Sequence, residues 1–226
     1  MAQDLSATQK ADQIAHHFFS KFALIVDNAR APVEPRDSAT AKIDKWFNIE
    51  TPDSEKYKDH LRAYRSISTL SSPPPPFELQ VLLTIPELTN NQVLVLHDPP
   101  ASRVRVDPTP SHILLESWQL EFAPSPAWYS SGTNTSGEVT LSAVYKHGIC
   151  LYRSLFALLR VLPTWRLYQR LRRRGAGLGP TRNGALGIEM RIGPLSTDTD
   201  GSHILGFGEH FLSLLFLLSS SCRGVL

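Results

Sequence analysis

The sequence has few of the residues that mark secreted or membrane-spanning proteins. Only two cysteines, Cys150 and Cys222, occur among 226 residues. This excludes a disulfide framework and a cysteine-based zinc site, and it favours a reducing compartment. The first ten residues are polar and lack the apolar core of a secretion signal. The apolar segment 211–218 is shorter than the roughly 20 residues that a membrane span needs. We therefore expect a cytoplasmic protein.

Acidic residues are missing from one long arginine-rich stretch. Overall charge is nearly balanced, with 23 Lys and Arg against 21 Asp and Glu, so net charge implies no general attraction to nucleic acid or membranes. Residues 153–182, however, contain eight arginines and no carboxylate. The run 166–174 is interpreted either as a solvated helix face or as a basic surface for an acidic partner or lipid headgroups. Nucleic acid is not expected, because no aromatic-interleaved binding motif accompanies the run. The basic surface is assigned to Arg170, Arg172, Arg173 and Arg174.

Sequence patterns of catalysis and cofactor binding are also lacking. The glycines of 175–179 lack the third glycine of a dinucleotide-binding loop and follow a basic helix instead of a strand. His16 and His17 are adjacent, so on a helix they point about 100° apart and do not form a metal pair. Cys150 lies in an apolar helical pattern and is predicted to be a core residue. We expect no enzyme activity, no metal site and no cofactor.

Three segments have helical periodicity. Residues 9–29 form an amphipathic pattern, in which Ile14, Phe18, Phe22 and Ile25 share one face. Residues 138–162 give the strongest pattern and are so apolar that burial on most sides is predicted. This helix is expected to be interrupted at Gly148 and to stop near Pro163. Residues 164–174 predict a shorter basic helix with four inward residues, Trp165, Leu167, Tyr168 and Leu171.

The strand-like segments are grouped instead of alternating with helices. A short helix is predicted over 55–66, and the prolines at 73–76 are predicted to form an extended spacer. The grouping favours an α+β fold, with a largely antiparallel sheet covered by helices. Strands are predicted over 45–49, 77–85, 92–97, 103–106, 113–122 and 185–192.

A cationic stripe is predicted on the long helix. Lys146, Arg153 and Arg160 are spaced by seven residues, which leaves them within about 20° of one another per step. On a buried helix such charges need a partner, because an unpaired buried charge is costly. The partner is either Glu116 or Glu121 of this chain, or an external phosphate or acidic peptide.

Several segments, in the same order, resemble the N-terminal domain of the fungal autophagy-related protein 13 family. The most specific is VYKHGICLYRSL at 144–155, followed by LPTW at 162–165. The resemblance covers roughly residues 10–207. The other matching segments are 45–50, 74–79, 88–96 and 113–121.

The resemblance implies a HORMA fold, a sheet backed by helices with a C-terminal safety belt. It implies a non-enzymatic regulatory or scaffold subunit of the autophagy-initiating kinase complex, which recruits partners to the phagophore assembly site. The implied partners are the membrane protein autophagy-related protein 9 and, in some relatives, a second HORMA protein, autophagy-related protein 101. The family's proposed pair of anion-binding arginines corresponds best to Arg153, with Arg105 as the second candidate.

The resemblance also divides the chain. Residues 1–207 are predicted to form the HORMA-like domain, and 208–226 an anomalous tail that we interpret as mispredicted coding sequence or as a C-terminal core element. Family members continue into a long tail that binds the kinase and scaffold, so those partners are not expected to bind this chain. Two other functions remain open. One is a phosphoinositide-binding module that uses residues 166–174, and the other is a HORMA protein of cell-cycle or DNA-repair type that closes its belt on a peptide.

Overall fold

The N-terminal helix supplies much of the core. In a computed structural model of the protein, residues 2–30, 42–98, 102–122, 140–175, 186–193 and 204–205 are described. Helix α1 spans Ala2–Arg30. Its side chains Phe18, Phe22 and Ile25 are buried, as predicted, because residues three or four apart share a helix face.

The main sheet has four strands in the order β7-β3-β6-β8. Strands β3 (Phe77–Thr84), β6 (His112–Leu120) and β7 (Gly187–Ile192) pair antiparallel, and the short β8 (Ile204–Leu205) pairs parallel to β6. The predicted α+β fold with a largely antiparallel sheet is confirmed.

Two small sheets stand apart from the main one. Strands β1 (Ile43–Asp44) and β2 (Thr51–Pro52) form a ladder beside α1. Strands β4 (Val95–Asp98) and β5 (Ser102–Arg105) form an antiparallel hairpin. The predicted strands 92–97 and 103–106 are thus both present, each with slightly shifted ends.

Helix α2 (Leu141–Val161) is followed directly by α3 (Pro163–Gly175). Thr140 caps α2, because its Oγ1 accepts the backbone N–H of Ala143 at 3.3 Å. Leu162 is extended, as a residue before proline prefers, and Pro163 occupies the first turn of α3, where its missing N–H has no cost. The predicted break at Pro163 is confirmed.

The predicted strand 45–49 is wrong. Trp46–Asn48 forms a 3₁₀ turn, and Phe47 adopts a left-handed conformation with φ 56°. The fully buried Phe47 ring stacks on Tyr145 at a centroid distance of 5.0 Å, and the Phe47 N–H donates to Tyr145 Oη at 3.1 Å. Contacts to α2 therefore override the strand propensity of this segment.

The predicted interruption of the long helix at Gly148 is also wrong, since α2 continues through this residue. A Cβ atom built at Gly148 would lie 2.5 Å from the Phe47 ring and 2.9 Å from Phe18 Cζ. The glycine is there because two aromatic rings approach the helix backbone closely.

The predicted helix 55–66 is replaced by two 3₁₀ turns, Glu55–Tyr57 and His60–Tyr64, and a third, Ile67–Thr69, follows them. Their buried side chains recur every three or four residues. Because a 3₁₀ helix has about three residues per turn, this spacing keeps the side chains on one side of the segment. These buried residues are Tyr57, Leu61, Tyr64 and Ile67.

Helix α2 is not buried on most sides, contrary to the prediction. One face is buried, while the opposite face, including Cys150, is exposed. The prediction that Cys150 is a core residue is therefore wrong. Its neighbours in sequence are apolar, but the helix covers the sheet with a single face. The buried positions are Gly148, Tyr152, Leu155 and Leu159.

The main core lies between the helices and the sheet and includes Leu79 and Trp118. A smaller cluster of Leu83, Ile85 and Ile113 lies beneath α3. Among the described helices, none combines the length and apolarity that crossing a bilayer requires. Residues 123–139 and 176–185 and the tail 208–226 lie outside the described residues.

Candidate interaction surface

The cationic stripe on α2 faces solvent over most of its length. Lys146 and Arg153 are exposed, so their charges stay hydrated and need no internal partner. Glu116, one of the two internal partners that the sequence suggests, is bound by Arg30 instead. Among the described residues no carboxylate pairs with Lys146 or Arg153. These two side chains are therefore available to an external anion.

Arg160, the third member of the stripe, is held by its neighbours. Its guanidinium lies 3.3 Å from the Phe156 ring centroid and 5.5 Å from that of Trp165, and Nη1 donates to the Phe156 carbonyl at 2.8 Å. Burial lowers the pKa of Arg160, and the nearby charge of Arg30 lowers this pKa further. The aromatic contacts fix the orientation of the guanidinium at the α2–α3 junction.

Arg105 does not join the stripe. It is exposed on β5, and its ionic partner is Asp107, 3.8 Å away. Arg103 and Arg105 belong to the β4–β5 hairpin, whereas Arg153 lies on α2, and Arg105 and Arg153 share no ionic partner. Helical spacing therefore places Lys146 and Arg153 on one side of α2, whereas Arg105 belongs to the β4–β5 hairpin.

Helix α3 turns a basic face outward. Leu167 and Leu171 are half-buried and Tyr168 is buried, so the predicted inward face is confirmed. No carboxylate of the described residues pairs with the outward arginines. Arg174 lies within α3, but its side chain is outside the described set. The exposed arginines are Arg166, Arg170, Arg172 and Arg173.

Helix α1 carries two fully buried cations, Lys21 and Arg30, which the sequence patterns above did not predict. Lys21 pairs with Asp44 and donates to the Ile49 carbonyl at 2.8 Å and to Thr51 Oγ1 at 3.1 Å. A signal was present, because Lys21 lies at helical spacing between Phe18 and Ile25. A cation inside an apolar stripe needs buried acceptors.

A groove of about 720 Å³ lies between α1 and residues 42–65. His17 on its wall stacks on Trp46 with 3.6 Å between the ring centroids, and His16 lies edge-on to His17. Burial lowers the pKa of His17 to about 4, with a smaller contribution from His16. Burial, and then the charge of Arg65, also lowers the pKa of His16. No group of metal-binding side chains occurs among the described residues.

Comparisons with known proteins agree with this architecture. A family model described as autophagy-related protein 13 matches residues 15–213. Autophagy-related protein 13 of Sclerotinia sclerotiorum is 30% identical over 220 residues, which are 91% of this chain and 23% of that protein. The relative from Yarrowia lipolytica is 32% identical over 187 residues, covering 79% of this chain and 26% of that protein. The chain thus spans about a quarter of the length of these relatives.

A solved structure titled Atg13 HORMA domain superposes with a TM-score of 0.51 at 19% identity. The match covers 86% of this chain and 71% of the solved one. At this identity the likeness establishes the fold, a HORMA domain, and not the activity.

Proposed function

Since the chain belongs to the autophagy-related protein 13 family, we propose that it is a non-catalytic scaffold and regulatory module of autophagy initiation. In this role it recruits partners to the phagophore assembly site through its HORMA domain. The observation that carries the proposal is the family match over residues 15–213 on a chain with the HORMA fold.

The proposed partners are autophagy-related protein 9 and a second HORMA protein such as autophagy-related protein 101. The proposed contact is the exposed pair Lys146 and Arg153. A guanidinium presents a planar fork of donors that matches carboxylate and phosphate oxygens. A partner segment that carries an acidic or phosphorylated side chain fits this pair.

The test is a pull-down of the 226-residue chain with the cytosolic tails of autophagy-related protein 9. Wild type is compared with Arg153→Gln and with a matched control, Arg62→Gln, which changes an exposed arginine on a 3₁₀ turn. Binding that weakens about tenfold in Arg153→Gln alone, at unchanged thermal stability, supports an anion-reading contact. Equal binding by all three proteins keeps the module but removes Arg153 from the contact. If the folded wild type does not bind, the assignment of autophagy-related protein 9 as a partner is wrong.

A second candidate function rests on the outward face of α3. The exposed Arg166, Arg170, Arg172 and Arg173 lie on a helix whose apolar side is already packed, so they are free to contact an acidic surface. We propose that this face binds phosphoinositide or other acidic lipid headgroups. Vesicle flotation of wild type beside a variant with Arg170, Arg172, Arg173 and Arg174 neutralised tests this function.

A further inference from the structure

The β4–β5 hairpin carries an apolar pair that no other part of the described chain covers. Leu96 lies directly opposite Val104 in the antiparallel register, so the two side chains share one face. They are 42% and 52% exposed. On the same face at the base of the hairpin, Leu94 and Val106 are half-buried. The apolar face therefore runs from the core out into solvent.

The hairpin base and α3 meet over the same small cluster. Leu94 of the hairpin packs against the group Leu83, Ile85 and Ile113, and so do Leu167 and Leu171 of α3. The base of the hairpin and the inward side of the basic helix thus pack against the same cluster. Two chemically different surfaces, one apolar and one cationic, lie at the same end of the sheet.

The segment 94–107 carries two arginines and two aspartates, so the excess of positive charge comes from α3. Arg103 and Arg105 are exposed on the opposite face of β5, and four arginines of α3 are exposed. The sequence contains no Asp or Glu from residue 139 to residue 188. Asp107 offsets part of the charge of Arg105. An exposed apolar pair and a cationic helix face that extend from the same cluster match the chemistry of an anionic bilayer surface, where apolar groups enter and arginines stay at the headgroups.

We propose that the β4–β5 hairpin inserts Leu96 and Val104 into the headgroup region of an anionic membrane, while the arginines of α3 bind the lipid phosphates. This inference rests on the second candidate function and adds the apolar element to it. The pair is too small for a stable protein interface, which buries on the order of 800 Å² per partner. The arginines on α3 are spread along a helix face, which suits many mobile headgroups better than one fixed carboxylate.

The experiment places an environment-sensitive fluorophore on a single cysteine of the full chain. One protein carries Leu96→Cys with Cys150→Ser and Cys222→Ser. The control carries the native Cys150, exposed on α2, with Cys222→Ser. Both are mixed with vesicles of phosphatidylcholine alone or with one-third phosphatidylserine, and flotation and emission are recorded together.

We expect both proteins to float with the anionic vesicles and the label at position 96 alone to shift to the blue. If both proteins float and neither label shifts, or both shift equally, insertion of the hairpin is wrong and the α3 contact stands. If wild type does not float, the lipid function itself is wrong. A shift at position 96 that rises with protein concentration in the absence of vesicles would assign the pair to contact between two copies and overturn the proposal.

An unlabelled variant gives an independent measurement. Leu96→Ser with Val104→Ser removes the apolar pair and leaves all arginines in place, and we expect partitioning onto anionic vesicles to fall about tenfold. The matched control is Val161→Ser, which removes an exposed valine at the α2–α3 junction, 72% exposed, and should leave partitioning unchanged. Equal partitioning of the double variant and wild type would overturn the proposal.

Discussion

Arg30, the last residue of α1, forms a two-pronged ion pair with Glu116 on β6. Its Nε and Nη2 donate to the two carboxylate oxygens at 2.8 and 3.0 Å. Its Nη1 donates to the Leu159 carbonyl near the end of α2 at 2.8 Å. Trp118 Nε1 adds a further donor to Glu116 at 2.9 Å. One buried guanidinium therefore ties both long helices to the main sheet.

The first prediction concerns this pair. Arg30→Met or Glu116→Gln is expected to lower the free energy of unfolding by about 3–5 kcal/mol, because each leaves a buried charge or donor without its partner. Urea denaturation of the single variants measures the effect. The control is a double-mutant cycle. The free energy of unfolding of the double variant Arg30→Met with Glu116→Gln should fall by clearly less than the sum of the two single decreases. Additive losses would contradict a direct interaction.

The second prediction concerns Gly148. Gly148→Ala is expected to lower the free energy of unfolding by about 1–3 kcal/mol, although alanine favours helices, because the new methyl group overlaps the Phe47 ring. Ser154→Ala on the exposed face of α2 is the matched control and should change stability by less than about 0.5 kcal/mol. Thermal unfolding compares them. A more stable Gly148→Ala protein would show that the approach of Phe47 does not constrain this position.

The third prediction concerns pH. Burial lowers the pKa of His17 to about 4, whereas in the unfolded chain it titrates near the ordinary value of 6.5. The unfolded state therefore binds more protons between these values, and the free energy of unfolding should fall as pH decreases from about 6.5 to 4. His17→Phe, which keeps a ring against Trp46, should reduce this fall by on the order of 1–2 kcal/mol. The control is His60→Phe at an exposed position, and an identical pH profile for His17→Phe would refute the assignment.

The fourth prediction concerns the basic face of α3. Arg170→Gln with Arg173→Gln should weaken binding to anionic vesicles by roughly tenfold or more, since each arginine near the surface contributes about 1 kcal/mol. Raising the salt concentration should weaken wild-type binding more steeply than binding of the variant, because fewer charges remain to be screened. Flotation over a salt series measures both. Parallel salt curves would exclude these arginines from the contact.

Local patterns in the sequence determine the regular elements. The apolar periodicity of α1 and α2, the alternation in β3 and β6 and the break at Pro163 depend on neighbours within a turn or a pleat, so they can be recognised without the fold. The resemblance to the family is local in the same sense, because the motifs at 144–155 and 162–165 are contiguous.

The tertiary structure alone decides which charges are buried and which are available. The sequence pattern predicts a partner for Arg153, which is exposed, while Arg30 is fully buried against Glu116, 86 residues away. The left-handed turn at Phe47 likewise depends on Tyr145, 98 residues along the chain. The sequence by itself determined helices α1, α2 and α3, the main strands and the family. The burial of Arg30 and the turn at Phe47 arise from contacts between distant segments, which a local pattern does not contain.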